Sequence, residues 1–238
     1  MLLNASNIIR ILLVLLLASN FGFSQEEQDT NYVIERYSLL DIGFSLNQAI
    51  DPMIDNVDEV KLGFKVSYFR SFKRNDALLA GIIIHNFRFD RLVQDHIVFG
   101  DFEDFDVTTA TTTKMLYTGL GIRYFTSFYT DKLEPYVQGE IGVNHIYTKS
   151  LETIDGAEEG NLSYETYHAS IGYMLGVGIQ YNVAFLSAIH WNVNFHSSTS
   201  ARYYVSENLG NDVPWDNFRL RRGQINFIST SLGITFGF

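Results

Sequence analysis

The chain has 238 residues and a formal net charge of −10, from 17 Lys and Arg against 27 Asp and Glu, and no cysteine. So acidic a chain is repelled by a phosphate backbone, which argues against nucleic acid as a partner. The missing thiol excludes a lipid-modified cysteine, a disulfide framework, a thiolate metal site and a cysteine nucleophile. Tyr (14), Phe (19) and Gly (18) are abundant, Pro (3) is scarce and charge is sparse, a composition unusual for a soluble domain.

The first element expected is a secretory signal peptide over 1–24. Arg10 precedes an apolar run from Ile11 to Ala18, and Gly22 and Ser24 supply the small residues a signal peptidase requires. The run is shorter than the roughly 20 apolar residues of a spanning helix, so it reads as removed, with the mature chain starting at Gln25 and a short periplasmic segment over 25–35.

From 36 to 238 the pattern changes to strict alternation, and eight strands are predicted. Leu40, Ile42, Phe44 and Leu46 mark the first; Val60, Leu62, Phe64, Val66 and Tyr68 the second. The third, with Leu78, Ala80, Ile82 and Ile84 assigned outward, is ambiguous because Leu79 and Ile83 make its other parity apolar too. Leu116, Leu120, Ile122 and Tyr124 give the fourth, and Val137, Ile141, Val143 and Tyr147 the fifth. The clearest is the sixth, where Tyr167 to Tyr181 on odd numbers are apolar or aromatic while His168 to Asn182 on even numbers are, Met174 apart, small or polar. Only a strand puts two such sets on opposite faces. Phe185, Ile189, Trp191, Val193 and Phe195 form the seventh, and Ile228, Leu232, Ile234, Phe236 and Phe238 the last.

Between them, residues 48–58, 91–112, 148–165 and 198–221 read as long, mostly acidic loops, whereas Ser71 to Asp76, Thr126 to Leu133 and a turn at Asn182 are short. Long loops at one end and tight turns at the other are the plan of an outer-membrane barrel. The expected fold is therefore all-β, an eight-stranded antiparallel up-and-down transmembrane β-barrel, with both termini periplasmic and the long loops extracellular. A soluble barrel would place Lys, Glu and Thr on the second face. Here that face carries Gly43, Gly63, Gly119, Gly121, Gly142, Gly172, Gly176, Gly178, Gly233 and Gly237, as suits a lumen barely wide enough for side chains. Aromatic girdles are expected at both interfaces: Tyr68, Phe72, Tyr124, Phe128, Tyr129, Tyr136, Tyr181, Phe236 and Phe238 on the periplasmic side, and Phe87, Phe89, Tyr147, Tyr164, Tyr167 and Phe195 on the outer one.

Phe238, with Phe236, Ile234 and Leu232 spaced by two behind it, resembles the terminal signal that outer-membrane proteins present to the barrel-assembly machinery. The mature chain as a whole resembles the OmpA/OmpX-type small barrels. Its Gln-initiated end and Tyr-rich, acidic-looped style are similar to Bacteroidota outer-membrane barrels, including the PorT-like group. Unlike OmpA, it ends at Phe238, so no C-terminal peptidoglycan-binding domain is expected. The resemblance implies contact with outer-membrane lipids and lipopolysaccharide.

The inner face is expected to hold a polar network of Asp41, Lys61, Lys65, Arg123 and Glu140, with Gln138, Asn144, His168, Gln180, His190, Asn192, Asn194 and His196 around it. Counting across turns sets Asp41 opposite Lys65 and Arg123 diagonal to Glu140. Charges in so narrow a space must be paired, which favours a plugged interior over a pore, since a water-filled channel takes about sixteen strands. A small pore or channel is the first alternative. A lipid A-modifying enzyme is the second, and His168 with Ser170, or His196 with Ser197, supplies the residue types. These face the lumen rather than lipid, so no catalytic triad is assigned. The acidic loops lack the Gly and spacing of an EF-hand, so no metal or other cofactor is expected. Phe99, Phe102 and Phe105 interleave the loop acids Asp101, Glu103, Asp104 and Asp106, and apolar residues exposed in a charged loop mark a contact for an envelope protein partner. The expected function is a non-enzymatic scaffold that displays its loops for surface contact or within an envelope or secretion complex.

Overall fold

Residues 38–50, 60–72, 77–99, 104–126, 132–154, 160–184, 187–206 and 218–238 are described by a computed structural model. The signal-peptide and periplasmic segments, the first-loop acids, Phe102, Phe128, Tyr129 and Phe185 lie outside these residues.

Alternation of large apolar with small or polar residues folds the chain into strands β1 (Ser38–Ala49), β2 (Lys61–Ser71), β3 (Leu78–Phe99), β4 (Asp104–Phe125), β5 (Leu133–Ile154), β6 (Asn161–Ala184), β7 (Ser187–Ser198), β8 (Ala201–Ser206), β9 (Phe218–Gly223) and β10 (Phe227–Gly237). Eight of them close in the order β1-β10-β7-β6-β5-β4-β3-β2, every neighbour antiparallel, while β8 and β9 pair as a separate hairpin. Closure leaves no open edge along the shared length. Phe44, Leu62, Ile82, Leu120, Ile141, Leu175, Trp191 and Ile234 stand exposed around the outside. On the ambiguous third strand, Leu78, Ile82 and Ile84 face out and Leu79 and Ile83 face in. A ring of exposed aliphatic side chains around a polar interior is stable only if lipid covers it.

Two strand lengths coexist. β1, β2, β7 and β10 have 12, 11, 12 and 11 residues, enough to cross a bilayer at a tilt of about 45°. β3, β4 and β5 have 22 and β6 has 24. β2 stops pairing with β3 at Gly63↔Phe87, and β7 reaches β6 only as far as Gly172↔Ser198. Beyond those points β3 to β6 continue as a four-stranded wall, with roughly 10 surplus residues per strand and about 33 Å of extra length at 3.3 Å per residue. This corrects the expected loops at 91–112 and 148–165, most of which are strand. The turn placed at Asn182 also moves, because β6 runs on to Ala184.

The wall is bent by two bulges, one between Arg88 and Asp90 on β3 and one between Thr148 and Lys149, where β5 meets β6. An extra residue flips the parity that follows it. Outward residues on β3 therefore change from Ile82 and Ile84 to Val93 and Ile97. The segment 198–221, expected as loop, contains β8 and most of β9. Ala201, Tyr203 and Val205 are buried, the Tyr203 ring stacks on Phe89 at 5.7 Å, and Thr113 Oγ1 donates to the Tyr204 carbonyl at 3.0 Å.

Candidate functional site: a filled lumen and an outward wall

The half of the lumen nearest the short turns is filled by charge. Asp41 leaves β1 and Arg123 leaves β4 on the far side, and Arg123 Nη2 donates to Asp41 Oδ2 at 2.6 Å. Ser67 Oγ (3.0 Å) and Thr235 Oγ1 (2.7 Å) also donate to Asp41. Since the Thr235 hydroxyl is spent on Asp41, its oxygen accepts from His190 Nδ1 at 2.9 Å, which fixes that tautomer. Arg123 Nε and Nη2 both reach Gln138 Oε1, at 2.9 and 2.7 Å. Gln138 in turn donates to Glu140 Oε1, which also accepts from Lys65 Nζ at 2.9 Å. Four charges and one amide thus form a continuous chain across the barrel. The Arg123 guanidinium is sandwiched between the Phe69 and Tyr136 rings, 4.3 Å from each centroid.

The pairing differs from the expected one. Asp41 is in register with Ser67, and Lys65 with Gly43, so Asp41 takes Arg123 and Lys65 takes Glu140. In so narrow a barrel a long side chain reaches across the lumen as easily as to the next strand. Lys61 stands on the same face of β2 as Lys65, in register with Asn47, and is half-buried.

The other half of the lumen is filled by rings. Tyr117 meets His196 edge-on (5.4 Å), His196 stacks on Phe227 (4.3 Å), Phe227 meets Phe87 (5.0 Å), and Phe87 stacks on Phe89 (5.3 Å), which lies under Tyr203 of the hairpin. Phe87 and Phe89, assigned to the outer girdle, are 4% and 0% exposed, and Tyr136, assigned to the periplasmic girdle, is 2% exposed. All three face inward. For Phe87 and Tyr136 the parity shared with Ile83 and with Gln138 carried the signal. Tyr68, Phe72, Tyr124, Tyr164, Tyr167, Tyr181, Phe195, Phe236 and Phe238 do face outward.

His168 and Ser170 point inward on β6; Ser170 accepts from Asn144 at 3.3 Å. Ser197 donates to Asn226 at 2.7 Å, while the His196 ring is taken up in stacking. A Ser–His contact absent from the sequence reading does form, Ser45 to His85 Nε2 at 2.7 Å. Both residues are buried and the imidazole packs between Phe87 and Phe227, so a lipid substrate has no approach to it. Among the described residues no group of acids and histidines is arranged to hold a metal. Phe99 ends β3 and Phe105 lies near the start of β4, in register with Val98.

On its outward face the wall aligns side chains in rows set by register. Val93, Ala110, Leu151 and Leu162 form one row, and Arg91, Thr112, Lys149 and Tyr164 the next towards the barrel. Val93, Leu151 and Leu162 are exposed, as is Ile97 beyond them.

No protein-family model matches the chain, and no curated protein matches it. Solved structures do. Neisserial surface protein A is 11% identical with a TM-score of 0.50, over 86% of this chain and 99% of that one. OprG of Pseudomonas aeruginosa (14%, TM-score 0.48, 86% and 97%) and the outer membrane protein W of E. coli (11%, 0.42, 86% and 99%) are also similar. At such identities the likeness is one of fold, and the fold is that of the small eight-stranded outer-membrane barrels.

Proposed function

We propose that this chain is a non-enzymatic outer-membrane barrel, with periplasmic termini and an extracellular wall, whose closed interior holds a rigid recognition surface above the membrane. The single observation that carries this reading is the pairing of a lumen filled end to end with a β-wall that continues about 10 residues past the rim. A filled lumen argues against transport. The wall has no counterpart in what a membrane anchor alone requires. Its row of Val93, Leu151 and Leu162, continued by Ile97, is an exposed apolar strip on a charged protein, the kind of surface that an envelope protein partner covers. Phe99 and Phe105 belong to the tip of the same wall, and Phe102 falls between them in the sequence. The outward-facing Phe236 and Phe238 support recognition of the last strand by the barrel-assembly machinery.

The test is single-channel recording of the folded protein in a planar bilayer, with heat-modifiable gel migration to establish that the barrel has formed. Silence is expected. Steady openings would overturn the closed-scaffold reading and make transport through a small pore the leading function. Maleimide labelling of a T112C variant in intact cells tests the direction of the wall.

A further inference from the structure

Along each strand of the wall, the outward apolar run ends in a cation or a tyrosine. On β3, Leu78, Ile82 and Ile84 give way to Asn86, Arg88 and Arg91; on β4, Ile122, Leu120 and Leu116 give way to Lys114. On β5, Ile141 and Val143 are followed by His145, Tyr147 and Lys149, and on β6, Tyr173 and Ile171 by Tyr167 and Tyr164. Register brings these together: Arg88 is opposite Lys114, Lys114 opposite Tyr147, Tyr147 opposite Tyr167, and Lys149 opposite Tyr164. With strands about 4.8 Å apart and successive same-face residues about 7 Å apart, the four cations occupy a patch the size of one phosphorylated headgroup.

On a chain of net charge −10 such a concentration is conspicuous. Among the described residues none of the four cations is in an ion pair, whereas Lys65 and Arg123 are paired inside the lumen. Two carboxylates stand nearby, Asp90 accepting from the Arg91 backbone N–H (2.7 Å) and Asp95 from the Thr108 hydroxyl (2.7 Å), and against them stand four cations. Tyr147, Lys149, Tyr164, Thr166 and Tyr167 line a shallow groove of ≈ 580 Å³ beside the cations. The groove is ordered from below, where the Tyr167 hydroxyl meets His145 Nδ1 at 2.6 Å.

We infer that Arg88, Arg91, Lys114 and Lys149, with the tyrosine groove beside them, form a binding site for the phosphorylated glucosamine headgroup of lipid A in the outer leaflet. Its acyl chains lie against the apolar runs of β3 to β6, which places the phosphates at the height where those runs end. Arginine and lysine recognise phosphate by charge-assisted hydrogen bonds, and tyrosine faces suit the sugar edge at an interface. This inference rests on the outward direction of the wall proposed above.

The test titrates the folded protein, in one detergent, with bisphosphorylated lipid A, with the same lipid A dephosphorylated, and with inorganic phosphate, following thermophoresis. The bisphosphorylated lipid is expected to bind at least tenfold more tightly than the other two and to weaken with added salt. Each cation near a membrane surface contributes about fivefold, so R88Q/K114Q is expected to lose about 25-fold, and R88Q/R91Q/K114Q/K149Q several hundredfold. R70Q/K132Q, at the short-turn end, is expected to bind unchanged. Equal binding of the two lipids, or full binding by the quadruple variant, would overturn the site, and inorganic phosphate competing as well as the lipid would make it a free-anion site. The comparison between ligands needs no variant to fold. Binding in detergent is also indifferent to orientation, so its failure removes this site alone. Periplasmic labelling of T112C would instead overturn the orientation and, with it, lipid A as the ligand.

Discussion

Replacing Arg123 by Met removes the hub of the lumen while roughly keeping its volume. The guanidinium forms an ion pair with Asp41 at 2.6 Å, bonds Gln138 twice and fills the space between Phe69 and Tyr136. Methionine can fill that space but leaves Asp41 buried with only the Ser67 and Thr235 hydroxyls. Removing one partner of a buried ion pair costs about 3–5 kcal/mol, and losing two ring faces adds about 1 kcal/mol. Equilibrium guanidinium unfolding in phospholipid vesicles measures the loss, with the outward-facing Trp191 reporting departure from lipid. R123K is expected to fall between, since an ammonium cannot serve Asp41 and Gln138 as a fork while stacking on both rings. The decisive comparison is D41N/R123M, which has no stranded charge and is expected to recover at least half of the loss. If R123M costs under about 1 kcal/mol, or the double variant is no more stable than the single, the interior is hydrated and the network is not what the distances imply.

Leu120, 65% exposed on the outer face, is expected to cost about 2–4 kcal/mol when changed to Arg in the same vesicle assay, as at a bilayer midplane; a neutral outcome would mean that water, not lipid, covers it. A Cβ on Gly178 would lie 2.4 Å from the Tyr136 ring, so G178A should press that ring against Arg123 and lose about 1–3 kcal/mol, read as a lower temperature for loss of the folded gel band. Exchanging Ala201–Gly223 for a short Gly-Ser turn uncovers Phe89 and should cost about 1.5–3 kcal/mol without preventing folding; an unchanged melting temperature would show that the hairpin merely rests on the wall. F87A/F227A is expected to open the ring-filled half while the charged half still blocks current. Conductance should then appear only when R123A is added, which, unlike methionine, empties the space between Phe69 and Tyr136.

Where faces contrast, the fold could be read from residues. Tyr167 to Asn182 separate apolar from small or polar side chains at every step but Met174, and in the barrel those positions face lipid and lumen as the alternation requires. The wall escaped because its contrast vanishes. Thr108, Thr109, Thr111, Thr112 and Thr113 look alike from either side, and the bulges at Arg88 and Thr148 reset the parity where the polar sequence begins. Aromatic residues near a strand end were assigned to the interface by type, although Phe87 shares its parity with Leu79 and Ile83, and Tyr136 with Gln138 and Glu140. The charged residues of the lumen could be found by parity. Their partners could not, because counting across a turn finds the adjacent strand, whereas Asp41 and Arg123 meet through the middle of a barrel whose diameter the sequence does not encode locally. Ser45 and His85, 40 residues apart, lie beyond such counting for the same reason.

The seam between β1 and β10 joins the two barrel strands furthest apart in sequence, and it is the ladder that turns the sheet into a barrel. Asp41 lies in that seam, directly across from Thr235 in the ladder and bonded to it, with Arg123 waiting on the opposite wall. A closure slipped by two residues, which would preserve the alternation of faces, would set Asp41 against Gly233 or Gly237 and strand its carboxylate without that hydroxyl. Hydrophobic patterning alone cannot tell such a slipped barrel from the true one. A single acid at the seam can, and so the cluster that blocks the lumen also favours the one register in which the seam closes.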